Sequence, residues 1–166
     1  DLASLHARFP ALHGKRVVLF LGRLHPIKGV DDLLHAFSVV ATNDLHLLIA
    51  GSGNPEYLNE LKGLAAKLGI LGHVTFAGML SGMEKWAALR LAEVMTLPSH
   101  HENFGVVVAE SLSMGTPVLL SNKVNIWREV HAANAGFVAP DSALGAGQNL
   151  KSWLALSIDE RLSMEK

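Results

Sequence analysis

The apolar positions of this chain fall in short unbroken runs, separated by longer stretches in which they return every three or four residues. The short runs predict strands buried on both faces, and the periodic stretches predict helices. After a polar lead-in, residues 17–21 (VVLFL) form the first run, stopped by Gly22. Helical spacing follows over 30–41 through Leu33, Leu34, Phe37 and Val40, with Asp31 and Asp32 in a first turn where carboxylates suit the helix dipole. A second run, 45–50 (LHLLIA), ends at Gly51-Ser52-Gly53, and Asn54 as cap with Pro55 at the first position starts a helix ending near Gly69. Residues 74–77 (VTFA) predict a third strand closed by Gly78. Ser81 and Glu84 predict a capping box for a helix to about Glu93, and 94–97 (VMTL) a fourth strand. Residues 117–121 (PVLLS) and 136–139 (GFVA) are the fifth and sixth runs. From Asp141 onward the pattern predicts one or two closing helices, with Trp153, Leu154, Leu156 and Ile158 available for packing.

Strand, turn and helix thus recur about six times without sequence repetition, and no linker or low-complexity segment interrupts them. Such alternation predicts an α/β, doubly wound parallel sheet of about six strands with helices on both faces. Ligands of that class sit at the carboxyl ends of the strands. Gly22-Arg23, Gly51-Ser52-Gly53, Gly78 and the loop 100–105 each follow a strand, so they are expected on one edge of the sheet.

Residues 98–118, PSHHENFGVVVAESLSMGTPV, hold the densest chemistry. Asn103 is the expected N-cap of a helix opened by Phe104 and Gly105 and closed by Gly115 before Thr116-Pro117. A helix N-terminus beside a glycine is an anion site, because its first N–H groups have no partner within the helix. Glu102 and Glu110 flank it, able to grip hydroxyls on either side of a phosphate. Glu102 as a simple cap and Glu110 as a surface charge is the plainer reading. Against it, Glu110 lies between the run 106–109 and Leu112 in a helix that reads as largely buried, where a carboxylate needs a partner or an opening. Helix rise puts the two positions on the order of 12 Å apart, the span from a sugar across a diphosphate to a ribose.

Composition narrows the field. The chain has 166 residues, 49% hydrophobic and 17% charged, which suits one domain with doubly buried strands. A net charge of −1 shows no basic field for nucleic acid and no polybasic membrane patch. With no cysteine, disulfides, thiolate catalysis and cysteine zinc sites are excluded together, as a cytosolic protein allows. No apolar run nears the roughly 20 residues of a membrane helix. The start, DLASLHARFPALHGKR, has no signal-peptide pattern and no Met, so a longer parent protein is expected.

Other motifs weigh less. Arg23 and Lys28 share one strand-to-helix loop, where they read either as solvated cations or as a fork and a point charge for a diphosphate. The shared edge with Glu102 and Gly105 favours the diphosphate. Gly51-Ser-Gly53-Asn-Pro-Glu56 lacks the third glycine of a dinucleotide fingerprint and follows the second strand, which disfavours an NAD-type dehydrogenase. His100-His101-Glu102 lacks the i, i+4 histidine pair of H-E-x-x-H, and with nine histidines in the chain such adjacency is easy by chance, so no metal site is expected. No G-x-S-x-G elbow makes Ser99 or Ser111 a nucleophile, and no G-x-x-x-x-G-K-[ST] loop is present.

From about Val17 to Pro140 the chain resembles the retaining glycosyltransferases of family 4, also called the glycosyl transferases group 1 family. The resemblance rests on FLGRLHPIKGVDDLLHAF, LLIAGSG, VTFAG and PSHHENFGVVVAESLSMGTPVLLS in the family's order. Its most specific element is Glu, seven residues, Glu: here Glu102 and Glu110, with Phe104-Gly105 between. The resemblance implies one half of a GT-B enzyme, a single Rossmann-like domain over 1–166 that binds the nucleotide-diphosphate sugar donor. The N-terminal domain, which binds the acceptor (a glycan or lipid-linked glycan), is absent from this chain. It implies that Arg23 and Lys28 contact and stabilise the leaving diphosphate, and that Glu110 holds the ribose hydroxyls. Glu102 touches the transferred hexosyl group as a donor-positioning residue. Gly22 and Gly51 line the donor site. Backbone near Asn103, Phe104, Gly105, Val106 and Val107 touches sugar or phosphate, and Gly78-Met79 lies by the base. It further implies retention at the anomeric carbon, no cofactor or metal, and a cytoplasmic enzyme, free or peripheral at the cytoplasmic face of a membrane through the other domain. The isolated chain is expected to bind donor weakly and transfer nothing. Many members carry Gly-Gly and Pro-Glu after the fifth strand, where this chain has SNKVNIWREV. A different class of function, a non-catalytic nucleotide-binding or regulatory module of the same fold, is the alternative.

Overall fold

The six apolar runs pair edge to edge in one parallel sheet of order β3-β2-β1-β4-β5-β6. The computed structural model describes residues 2–164, so both ends of the expected 1–166 domain lie outside the described residues. In chain order the elements are α1 (Leu2–Arg8), β1 (Arg16–Leu21), α2 (Val30–Val40), β2 (Leu45–Ala50), α3 (Pro55–Lys67), β3 (Val74–Gly78) and α4 (Met83–Leu91). They continue with β4 (Val94–Leu97), α5 (Val106–Ser113), β5 (Val118–Ser121), α6 (Trp127–Ala132), β6 (Gly136–Ala139), α7 (Ala143–Leu154) and α8 (Ile158–Met164). Every residue of β2, β4 and β5 is buried, while β3 and β6, at the sheet edges, are half-buried at their centres. That gradient explains why the interior strands read as unbroken apolar runs.

Crossovers between the parallel strands place helices on both faces. On one side α2 packs against α3 and α7; on the other α4 packs against α1 and α5. Leu33, Leu34 and Phe37 of α2 and Trp153 of α7 are fully covered in the common core, whereas Ile158 is exposed. Strand order reverses between β1 and β4, so the loops after these two strands open a crevice at the carboxyl edge.

Local chemistry corrects the expected helix starts. Asn54 does cap α3, its side chain accepting from the N–H groups of Glu56 and Tyr57 at 2.8 and 3.3 Å. Asn103 does not cap α5: that helix begins three residues later, after Gly105 at φ 58°, ψ 44°, with no side-chain cap. A Cβ on Gly105 would stand 3.2 Å from Ile126 and 3.3 Å from Val108, so a left-handed turn packed this tightly favours glycine. The Ser81–Glu84 capping box is also absent. α4 starts after Gly82 at φ 57°, ψ −131°, and Glu84 is taken by Arg8 of α1 at 2.6 Å. Gly115 closes α5 as expected: at φ 77° it donates to Leu112 O at 3.0 Å, and Thr116 donates to Ser111 O at 3.0 Å. α1 and α6 had no expected counterpart, being short helices with one buried residue each, Leu5 and Val130.

Candidate functional site

Carboxyl ends of β1 and β2 form the floor of a cavity of about 360 Å³. β1 contributes Leu21, Gly22 and Arg23; β2 contributes Ala50, Gly51 and Ser52. Met79, Leu80 and Lys85 come from the β3 side, and Val107 and Glu110 from α5. A Cβ on Gly51 would lie 1.7 Å from Gly22 O, so the two strand ends meet at this distance only with a glycine. Gly51 N–H donates to Gly78 O at 2.8 Å, drawing the turn after β3 toward the same edge. Gly78 supports the wall in that way, and Met79 lines it.

A second group stands at the strand-order reversal. Lys28 and Glu102 bridge the loops after β1 and β4 with Nζ 2.5 Å from Oε1. The loops are stitched further by His100 N–H donating to Ile27 O at 2.8 Å. Gly29, at φ 75°, lies so close that a Cβ would be 2.3 Å from Pro98 O. Glu102 is itself anchored by its backbone: its N–H donates to Lys123 O at 3.2 Å, and its carbonyl accepts from Asn125 at 3.0 Å. The glutamate therefore sits on a small bridge to the loop after β5, ahead of α5 rather than within it, and helix rise does not set its distance from Glu110.

The expected residues thus divide in two. Gly22, Arg23, Gly51, Met79, Val107 and Glu110 line the cavity. Lys28 and Glu102 form the neighbouring pair. Asn103 and Val106 are exposed and Phe104 is 83% exposed, leaving the uncapped start of α5 open to solvent. Glu110, which needed a partner, has one: Lys85 Nζ lies 2.6 Å from its Oε2. Lys85 is the charged cavity residue that sequence reasoning missed, beside the apolar Leu21, Ala50 and Leu80. Its signal was a lysine in the first turn after the third strand, hidden by assigning that segment to a capping box.

His100 and His101 separate. His101 is exposed, while His100 Nδ1 lies 2.9 Å from Asp141 Oδ2 and Nε2 3.5 Å from Asp32 Oδ2. Asp31, Asp32 and His100 bring one ligand atom each within 4.8 Å, a grouping that the spacing along the chain did not reveal. Partial burial raises Asp32 above the usual aspartate range, with Asp31 adding to the rise and His100 opposing it. The hydrogen bond from His100 lowers Asp141. These contacts tie the loop carrying Glu102 to α2 and to the start of α7. Among the described residues no helix is long and apolar enough to cross a membrane.

The glycosyl transferases group 1 family model matches residues 4–165. Over 143 residues the chain is 38% identical to a phosphatidyl-myo-inositol mannosyltransferase of Mycobacterium leprae, covering 82% of this chain and 36% of that one. It is 35% identical over 122 residues to a D-inositol 3-phosphate glycosyltransferase of Mycolicibacterium gilvum, covering 72% of this chain and 27% of that protein. The chain therefore spans about a third of the length of such relatives. Among solved structures, Anabaena Alr3699/HepE in complex with UDP and glucose matches with a TM-score of 0.87 at 19% identity, over 99% of this chain and 45% of that one. The C-terminal domain of a glycosyl transferase group 1 family protein from Francisella tularensis matches with a TM-score of 0.84 at 17% identity, over 100% of this chain and 88% of that one. These two likenesses establish the fold.

Proposed function

The chain belongs to the glycosyl transferases group 1 family, and from that premise we propose that it is the donor-binding half of a retaining hexosyltransferase of family 4. The carrying observation is one cavity at the carboxyl ends of β1 and β2 that holds Arg23 and Glu110, next to the Lys28–Glu102 pair. The names of relatives that transfer mannose or glycosylate inositol phosphate support a hexosyl group.

In this reading Arg23 meets the donor diphosphate as a planar fork and Lys28 as a point charge. The uncapped N–H groups opening α5 add partial positive charge. Together they stabilise the diphosphate as it leaves, so the reaction needs no metal. Glu110 accepts from the ribose hydroxyls, and Glu102 positions the transferred sugar through its hydroxyls. Main chain around Gly78-Met79 lies beside the base. The acceptor, a glycan or lipid-linked glycan, belongs to an N-terminal domain outside this chain, and the complete enzyme works in the cytoplasm or at the cytoplasmic face of a membrane.

Calorimetric titration of the chain with UDP, GDP and ADP, and with their hexose conjugates, tests the reading. One nucleotide family binds, its sugar conjugate binds more tightly, and Glu102→Gln erases the sugar's increment while leaving the bare diphosphate within about twofold. Failure of all three to bind at millimolar concentration removes the donor-domain reading. Preferential binding of NAD replaces it.

A further inference from the structure

Lys85 enters the cavity from α4, the helix that crosses from β3 toward β4, and meets Glu110 from α5. Its ammonium is held from two sides. Nζ lies 2.6 Å from Glu110 Oε2 and 4.9 Å from the centre of the Trp86 ring, a salt bridge and a cation–π contact at once. Both partners are partly covered, Lys85 at 27% and Glu110 at 22% side-chain exposure, so solvent screens the pair less than it screens a free surface pair. The other glutamate oxygen, Oε1, has no hydrogen-bond partner among the described residues.

We propose that Lys85 is a positioning residue for the ribose of the donor. It fixes Glu110 by Oε2 so that Oε1 is presented to the ribose hydroxyls. This rests on the donor-site reading above. A glutamate side chain loses rotamer freedom when it binds a diol, and a lysine that has already fixed it removes part of that cost before the ligand arrives. The lysine also leaves the carboxylate its acceptor capacity, since an ionised carboxylate has about four lone-pair sites and the ammonium takes one. Placement depends on Gly82: at φ 57°, ψ −131° it turns the chain into α4 so that Lys85 falls in the first turn.

The test measures affinity of the chain for the best-bound of UDP, GDP and ADP and for its 2′,3′-dideoxy counterpart, in wild type, Lys85→Met, Lys85→Arg, Glu110→Gln and the Lys85→Met/Glu110→Gln double variant. Comparing two ligands within one variant cancels any general loss of folded protein. Wild type prefers the ribose form. In Lys85→Met that preference falls by roughly tenfold while dideoxy affinity holds, Lys85→Arg restores it, and in the Glu110→Gln background the methionine change costs nothing more. An equal loss for both ligand forms makes Lys85 a phosphate contact and overturns the proposal, as does an unchanged preference. Wild type binding neither form overturns the donor reading itself, and with it this inference. Binding with an unaltered ribose preference in Lys85→Met overturns the role of Lys85 alone.

Discussion

The two edges of the sheet use the same residue types to opposite ends. At the amino edge Glu93, just before β4, accepts from Arg16 Nε at 2.9 Å and from a second nitrogen of the same guanidinium, and also from Trp153 Nε1 at 2.7 Å. Arg161 of α8 stands 3.6 Å away. At the carboxyl edge Glu102 and Glu110 each have a single lysine, and Glu110 faces a cavity. A carboxylate whose acceptor sites are taken by the protein is a fastener joining β1, α7 and α8. One that keeps acceptor sites open beside a cavity can bind hydroxyls. An acidic residue next to a cation is thus not informative until its remaining lone pairs are accounted for.

Breaking either side of that comparison separates stability from binding. Glu93→Ala strips Arg16 and Trp153 of their shared partner and lowers stability by about 3 kcal/mol, read by denaturant unfolding, with nucleotide affinity unchanged. Glu110→Ala does the reverse: affinity for the bound nucleoside diphosphate falls by roughly thirtyfold in calorimetry, while stability stays within about 1 kcal/mol. If Glu93→Ala weakened the nucleotide as strongly as Glu110→Ala, the two edges would not be functionally distinct.

The smallest effect is on pH dependence, and it falls on the structural side. Burial pushes Glu93 up, but its hydrogen bonds from Arg16 and Trp153 and the charges of Arg16 and Arg161 outweigh this and hold it below the ordinary 4.5. A carboxylate lowered by folding contributes stability that is present above its unfolded value and lost as pH falls through the folded one. Burial of His46, which hydrogen-bonds Thr75 at 2.7 Å, lowers it from 6.5, so it too favours the fold at higher pH. Stability accordingly declines on acidification, beginning below about pH 6.5 through His46 and continuing below about 4.5 through Glu93. Urea titrations over pH 3–8 check this, and Glu93→Gln makes the lower step shallower, Asp141 keeping part of it, while leaving the upper.

Six strands were legible in the sequence because each has a glycine or proline at one of its ends and their cores are too apolar to lie anywhere but inside. α1 and α6 were not legible. Each is short and amphipathic with one buried residue, too few for periodicity to register. The two misread helix starts share a cause. Asn103 and Ser81 are good caps by type, but a left-handed glycine downstream, Gly105 or Gly82, relocated each helix start beyond their reach.

By itself the sequence determined the α/β alternation and the gathering of Arg23, Lys28, Glu102 and Glu110 at the carboxyl edge. Local periodicity and short-range turn chemistry carry that much. Tertiary structure alone decided the pairing: Lys28 with Glu102 across 74 positions, Lys85 with Glu110 across 25, and Arg16 with Glu93 across 77. Such partners are chosen by strand order and by which loops the crossovers bring to one edge. No residue's own neighbours encode that choice, and it alone separates a glutamate that fastens the fold from one that can hold a ligand.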